Sequence, residues 1–444
     1  MKPSLGEHPF LERPHRTLFG LALPVLISLV AEPVTGLVDT AFMARAGGTS
    51  LAALGVGTVL LSGLFWAFNF LGIGTQTSVA RALGSGDDRG ARRASSTAAL
   101  TALLLGVALA LLAWPWIDAA TRFMGADATM AMEARIYLEI RLFGAPAILL
   151  LLASFGALRG LQDMQTPLRI AVGLNLLNIA LDYLLVFGAG PVRPMGLAGV
   201  AIASVISQWG GAVLAFFAAQ SRLGGRALPD LKSVGELFVV GRDLVVRTGS
   251  LLLFLLLATR ASTQLGEMEG AAHQAIRQSW VFGAFLLDAW AASAQSLIGF
   301  FLGAGETGTA RRVAGISCGW ALLTGLLLMF AMLGLESGAI WLLVPPPAES
   351  IFRSAWWIAA IAQPLNALSF VTDGIHWGTG DYRYLRNVML LSTVTGAVAL
   401  MTLPTDWSGS FVLVWWITVA WIGLRALFGL LRIWPGIGAA RLQV

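Results

Sequence analysis

The segment LGSGDDRGARR, residues 83–93, recurs as LGAGETGTARR at residues 302–312, an offset of 219. Three further pairs keep an offset of 218 or 219: Pro146 in GAPA with Pro364 in AQPL, GLQD (160–163) with GTGD (378–381), and TQTS (75–78) with AQSL (294–297). A repeat at one offset indicates that a structural unit occurs twice. The sequence therefore predicts two homologous halves.

The composition is that of a membrane protein. Hydrophobic residues make up 57% of the chain, charged residues only 12%, and the mean hydropathy is +0.77, whereas soluble domains have about 25% charged residues. Many apolar runs reach about 20 residues, the length that crosses a bilayer as a helix. The net charge of +5 comes from basic residues scattered through short loops, which is typical of membrane topology and does not suggest a nucleic-acid partner. We predict an all-α polytopic membrane protein whose surroundings are the lipid bilayer.

Twelve transmembrane helices are predicted, near 17–45, 50–82, 92–117, 128–157, 168–188, 196–220, 237–264, 270–301, 311–335, 350–377, 384–403 and 408–432. They group into an N-terminal six-helix lobe (1–220), a cytoplasmic linker (221–236) and a C-terminal six-helix lobe (237–444). Six spans per half make the halves parallel, so we expect pseudo-symmetric lobes around a central cleft.

Lys and Arg residues predict the orientation. The N-terminus and the loops after even-numbered spans hold most of them, including Arg92, Arg93, Arg311 and Arg312, while the other loops hold mainly Arg45, Arg122, Arg193 and Arg353. Positively charged loops remain in the cytoplasm. Both termini are therefore predicted to be cytoplasmic, in a multi-pass protein of the bacterial inner membrane that we expect to be a monomer.

Acidic residues inside the spans are the main candidates for function, because a carboxylate at mid-bilayer costs roughly 2.5–3.5 kcal/mol. Asp39 and Asp182 each lie about six residues, or roughly 9 Å, before the outer end of a span. Asn175, Asn178 and Asp182 are spaced i, i+3 and i+7 along one helix face, and Glu32 lies seven residues before Asp39. We predict that Asp39 and Asp182 approach closely, with Asn178 within hydrogen-bonding reach of one of them.

Three further residues reach the same layer. Tyr137, Arg141 and Ser204 lie on spans that enter from the outer side, at similar depth. Arg141 could neutralise Asp39 or Asp182 permanently in a static ion pair, but we favour a structural role in which it braces a neighbouring span.

The C-terminal half lacks this cluster, since Asp39 aligns with Ala258 and Asp182 with Leu400 at the repeat offset. Its own ionisable residues, Asp288, Asp373, Arg260 and Arg277, are secondary candidates together with Arg141. One cysteine and four histidines without metal-ligand spacing predict no metal site and no bound cofactor.

The segments LALPVLISLVAEPVTGLVDTAFM, YLEIRLFGAPA, NLLNIALDYLLVFG, GLAGVAIASVIS and DGIHWGTGD resemble the multidrug and toxic compound extrusion (MATE) family, and within it the DNA-damage-inducible protein F (DinF) branch. The resemblance implies cation-driven export of drugs or metabolites, with the coupling site at Asp39, Asn178 and Asp182 and with Tyr137 nearby. The sodium-dependent branch relies on a glutamate in span 7, where we expect Arg260 and no carboxylate. This favours protons as the coupling ion, although Asp373 leaves Na⁺ as an alternative coupling ion.

The leading hypothesis is thus a secondary antiporter that exchanges protons for an amphipathic organic or cationic substrate by alternating access, and not an enzyme. A lipid-linked precursor flippase is the first alternative, and it would require a strongly basic cavity. A membrane-embedded transferase is the second alternative, for which only Asp373 and His376 offer a catalytic motif.

Overall fold

The computed structural model describes residues 7–46, 48–188, 191–404, 407–438 and 440–442. Within helices, the side chains of Ala31, Glu32, Ala46 and Leu231 lie outside this description. Two compact units form: an N-terminal unit of residues 23–241, and a C-terminal unit of residues 1–22 and 242–444.

Most of the helices are long, and several predicted spans consist of two consecutive helices. Those up to residue 223 are α1 (Pro9–Glu12), α2 (Pro14–Ala46), α3 (Gly48–Trp66), α4 (Phe70–Gly84), α5 (Asp88–Ala113), α6 (Ile117–Phe123), α7 (Ala128–Leu142), α8 (Ala145–Gly160), α9 (Gln165–Phe187) and α10 (Leu197–Leu223). The later helices are α11 (Leu231–Leu265), α12 (Glu267–Gly303), α13 (Thr307–Gly334), α14 (Glu336–Leu343), α15 (Glu349–Ile361), α16 (Gln363–Thr379), α17 (Tyr382–Met401) and α18 (Ser410–Ile433).

The predicted all-helical membrane fold is confirmed. Among the described residues, ten helical segments are long and apolar enough to cross a membrane, and the bent pair α7–α8 makes eleven. The remaining predicted span, 350–377, corresponds to α15 and α16, which are 13 and 17 residues long.

The internal repeat extends to the contacts between helices. In the N-terminal unit a Cβ on Gly156 of α8 would lie 2.4 Å from the carbonyl oxygen of Gly72 on α4. In the C-terminal unit a Cβ on Gly374 of α16 would lie 2.3 Å from the carbonyl oxygen of Ala291 on α12. Both contacts require backbone against backbone, which only a glycine without Cβ permits. The two pairs are 218 and 219 residues apart, so the same helix packing occurs twice.

A second pair of contacts follows the same rule. Gly106 of α5 packs against the backbone of Pro146 at the start of α8, and Gly325 of α13 packs against Pro364 at the start of α16. The repeated loop is also the same in both units, because Gly86 and Gly305 adopt φ of 74° and 78°. These left-handed residues end one helix and allow the chain to reverse into the next.

The unit boundaries differ from the expected lobe boundaries. They lie inside helices, between residues 22 and 23 of α2 and between residues 241 and 242 of α11. The predicted linker belongs to the N-terminal unit, where the amide of Asp230 donates to Thr97 Oγ1 at 3.1 Å and that of Ala227 donates to Ser96 Oγ at 3.4 Å. Residues 224–230 are thus fixed along α5.

Candidate acidic site in the N-terminal unit

A break between α7 and α8 shapes the site. The two helices meet at 48°, and Pro146 lacks the amide hydrogen that would continue the helical bonding. Helix α10 braces the break, because Trp209 Nε1 donates to the carbonyl oxygen of Phe143 at 3.0 Å and Arg141 Nη1 donates to Gln208 Oε1 at 2.8 Å. Arg141 therefore connects two helices, which agrees with the structural role expected for it.

Tyr137 lies one helical turn before Arg141 and is buried. Its ring occupies the space beside Gly57 of α3, where a Cβ would lie 2.4 Å from Tyr137 Cδ1. The Tyr137 ring can pack at this position because Gly57 has no side chain.

Asp39 on α2 and Asp182 on α9 are brought together, with their carboxyl groups within interaction range of each other. Asp182 is completely buried. Apart from this mutual contact, no donor among the described residues reaches either oxygen of Asp182 or Oδ1 of Asp39. A buried carboxylate that lacks hydrogen-bond donors is strongly disfavoured unless a proton or a cation neutralises it.

Arg141 influences both carboxyl groups electrostatically but forms no ion pair with either one in the described part of the chain. Arg141 donates a hydrogen bond to Gln208, and in the described part of the chain its Nε is buried without a partner. The static ion pair considered above is therefore not the arrangement in this structure.

The other predicted residues lie around the pair. Asn178 is buried one turn before Asp182, but its amide nitrogen has no partner among the described residues, so the expected hydrogen bond to a carboxyl group is not observed. Asn175 lines an otherwise mainly apolar groove of about 390 Å³ between α2 and α9. Ser204 is buried on α10, which packs against α9. The side chain of Glu32 lies outside the described residues.

In the C-terminal unit Asp373 is held by two arginines. Its Oδ2 accepts hydrogen bonds from Arg425 Nη2, at 2.9 Å, and from Arg247 Nη2. Sequence reasoning missed both arginines, although a charged residue within an apolar helix such as α18 was a visible signal. It did not reveal the partner, because Arg247 and Asp373 are 126 residues apart.

One expectation about span 7 was wrong, because α11 does contain a carboxylate. Asp243 is buried there and pairs with Arg386 at 2.7 Å and with its neighbour Arg242 at 2.9 Å. Since two guanidinium groups already contact its Oδ1, this carboxylate is neutralised by protein cations.

The remaining secondary candidates do not join the acidic pair. Arg260 is exposed on α11, and Arg277 of α12 donates to Gln274 Oε1 at 3.2 Å. Asp288 attracts Arg425 electrostatically, but less strongly than Asp373 does. Asp39 and Asp182 are therefore the predicted acids that meet in one unit.

Comparison with known proteins gives concordant matches. The family model MatE matches residues 24–184 and 249–401. The chloroplastic protein DETOXIFICATION 44 of Arabidopsis thaliana is 31% identical over 431 residues, covering 89% of this chain and 79% of that protein. DNA damage-inducible protein F of Escherichia coli (strain K12) is 29% identical over 438 residues, covering 96% and 93% respectively.

A solved structure has the same fold. The crystal structure of MATE in the bent conformation superposes with a TM-score of 0.88 at 21% sequence identity, covering 97% of this chain and 98% of that one. At this identity the likeness shows the fold alone.

Proposed function

We propose that this chain, which belongs to the multidrug and toxic compound extrusion family, is a proton-coupled antiporter. The E. coli relative confirms the expected resemblance to DNA damage-inducible protein F. The proposed antiporter exchanges protons for amphipathic organic compounds, including cationic ones, and acts as a transporter and not as an enzyme. The observation that supports this proposal is the contact between Asp39 and Asp182, which is buried and lacks other donors.

The chemistry of the pair suits exchange. Two carboxyl groups that face each other in an apolar environment cannot both carry a full negative charge, so they hold one proton between them. When this proton leaves, the pair needs another positive charge, which an organic cation supplies. Each ligand thus weakens the binding of the other, and this reciprocity is what coupled exchange requires.

Protons are favoured over Na⁺ by the carboxylates of the C-terminal unit. Arg247 and Arg425 neutralise Asp373, and Arg386 and Arg242 neutralise Asp243. A sodium ion needs several oxygen ligands with available negative charge, as hard cations generally do. The acidic pair of the N-terminal unit is therefore the proposed coupling site. We also propose that the protein lies in the bacterial inner membrane with both termini in the cytoplasm.

Transport in proteoliposomes tests the proposal. Ethidium carries a permanent charge, so a pH gradient alone does not trap it. We expect vesicles with an acidic lumen to accumulate ethidium in a protein-dependent manner as protons leave, and a protonophore to abolish the uptake. Accumulation driven by a sodium gradient at equal pH on both sides, and not by the pH gradient, would overturn proton coupling.

A further inference from the structure

A buried polar stripe runs along one face of α16 in the C-terminal unit. Asn366, Ser369, Asp373 and His376 follow each other at intervals of three, four and three residues, which places them on one helix face. All four are at most 6% exposed. In the described part of the chain, Ser369 Oγ and both side-chain polar atoms of Asn366 are buried without a hydrogen-bond partner. Such atoms are costly in a protein interior unless a ligand or water satisfies them.

Two guanidinium groups meet at this stripe. Arg247 and Arg425 both donate to the same oxygen of Asp373, so two positive charges share one carboxylate oxygen. Asp288 acts on Arg425 more weakly than Asp373 does. Asp373 is thus the carboxylate that bonds directly to both guanidinium groups.

Several N–H donors of the two arginines have no hydrogen-bond partner among the described residues. Only 3% of the Arg425 side chain is exposed, yet its Nε and Nη1 atoms are buried without a partner among the described residues, as is Nε of Arg247. A guanidinium group has five donors in a planar fork that matches a carboxylate or phosphate. These free donors would bind an anion.

Aromatic rings hold the guanidinium groups in place. Arg425 lies over Trp421 at 4.7 Å and near Phe370 at 6.0 Å, and Arg247 lies over Trp377 at 5.6 Å. Cation–π contacts of this kind orient the fork but satisfy none of its N–H groups. The side chain of Arg247 is 12% exposed, so the cluster is not completely enclosed.

His376 contacts the backbone of α18 through its ring. Its Nε2 lies 3.1 Å from the carbonyl oxygen of Gly429. Because a carbonyl oxygen only accepts, Nε2 must carry the hydrogen and donate it. The buried Nδ1 has no partner among the described residues.

We propose that Arg247 and Arg425 form an anion-binding site that takes the carboxylate of an amphipathic organic anion. The carboxylate binds the free Nε and Nη1 donors of Arg425, and the apolar part of the ligand packs against the neighbouring rings. This site differs in charge from the Asp39–Asp182 pair, and it does not depend on which ion drives transport.

Binding of two matched probes to the whole protein in lipid nanodiscs tests the site. The probes are 1-naphthoate and 1-naphthylmethylammonium, which share the ring system and differ in the sign of their charge. The protein carries both Asp39→Asn and Asp182→Asn, so that the ammonium probe cannot bind the acidic pair of the N-terminal unit. Equilibrium dialysis of this variant should show at least tenfold tighter binding of the carboxylate. Equal binding of the two probes, or a preference for the ammonium, would overturn the proposal.

Substitutions separate binding from a structural ion pair. Asp373→Asn frees both guanidinium groups and should tighten naphthoate binding about tenfold, whereas Arg425→Gln should weaken it at least tenfold. Arg353→Gln, in an exposed ion pair with Glu349, is the matched control and should leave binding unchanged. If Arg425→Gln does not fold, Asp373→Asn decides alone, since unchanged or weaker binding contradicts the site. Asp182→Asn should abolish proton-driven transport but retain naphthoate binding. The proposal of proton coupling at the acidic pair and the proposal of anion binding at the arginines can therefore be refuted independently of each other.

Discussion

At the residue scale, the proton is expected to reside on the contact between Asp39 and Asp182. Asp182→Asn keeps the shape of the side chain and makes it permanently neutral, so the pair can no longer alternate between proton and organic cation. We expect this variant, and likewise Asp39→Asn, to fold and reach the membrane but to lose at least 90% of pH-driven ethidium accumulation in proteoliposomes.

The matched control is Asp118→Asn, because Asp118 is half exposed and pairs with Arg135 at the surface. Surface ion pairs contribute about 0–1 kcal/mol, so this variant should transport like the parent protein. If Asp39→Asn and Asp182→Asn both accumulate ethidium at the parent rate, these acids are structural and the coupling site lies elsewhere.

Some of this site could be inferred from the sequence. The depth of Asp39 and Asp182 follows from counting residues to the outer end of each span, and the face follows from helical spacing. Neither quantity determines which residue a side chain contacts. Asn178 has the right depth and face, yet its amide nitrogen meets no partner among the described residues, because hydrogen bonding depends on the relative rotation of two helices.

At the scale of helices, close packing of α3 against α7 positions Tyr137. A methyl group on Gly57 would overlap the Tyr137 ring, with contacts of 2.4 and 2.7 Å. Overpacking of this kind typically costs 1–3 kcal/mol. Gly57→Ala should therefore lower the midpoint of thermal unfolding in detergent and reduce proton-driven transport.

Gly55 provides the comparison on the same helix, because a Cβ there meets no atom within 4 Å. Gly55→Ala has the same effect on helix propensity without the clash, so it should equal or exceed the parent protein in stability. Equal melting temperatures for the two alanine variants would show that the Tyr137 ring moves aside without cost.

Sequence patterns located the helices better than they located breaks within them. Apolar runs give the length of a span, but the run 128–157 reads as one span and is in fact two helices at 48°. Pro146 was visible in that run, but whether a proline bends or interrupts a helix depends on bonds from elsewhere, here those of Trp209 and Gln208. Pro24 and Pro33, in contrast, lie inside the continuous helix α2.

At the scale of the whole molecule, the repeat carries information that no single helix provides. The paired glycine contacts show that each unit packs its helices in the same way. The division inside α2 and α11 could not be read from the apolar runs, because both helices continue through it. Where a chain passes from one compact unit to the other depends on tertiary contacts.

The repeat also makes a prediction about topology. With six spans per half, the turns at Ser85 and Glu306 should both face the cytoplasm, and Met124 should face outward. Cys318 is the single cysteine and is buried, so a Cys318→Ser background allows Ser85→Cys, Glu306→Cys and Met124→Cys to be made one at a time. In intact bacterial cells a membrane-impermeant maleimide should label only Met124→Cys, while permeabilised cells should label all three.

The two repeat turns serve as controls for each other, since both residues are exposed and occupy equivalent loops. Parallel halves require the same labelling pattern at Ser85→Cys and Glu306→Cys, because an even number of spans separates them. Opposite labelling of these two positions would mean that the halves are inverted, and the proposed arrangement about an axis along the membrane normal would then be wrong. Labelling of both turns in intact cells would keep the halves parallel but reverse the orientation, which would place Asp39 and Asp182 nearer the cytoplasm and contradict the positive-inside assignment.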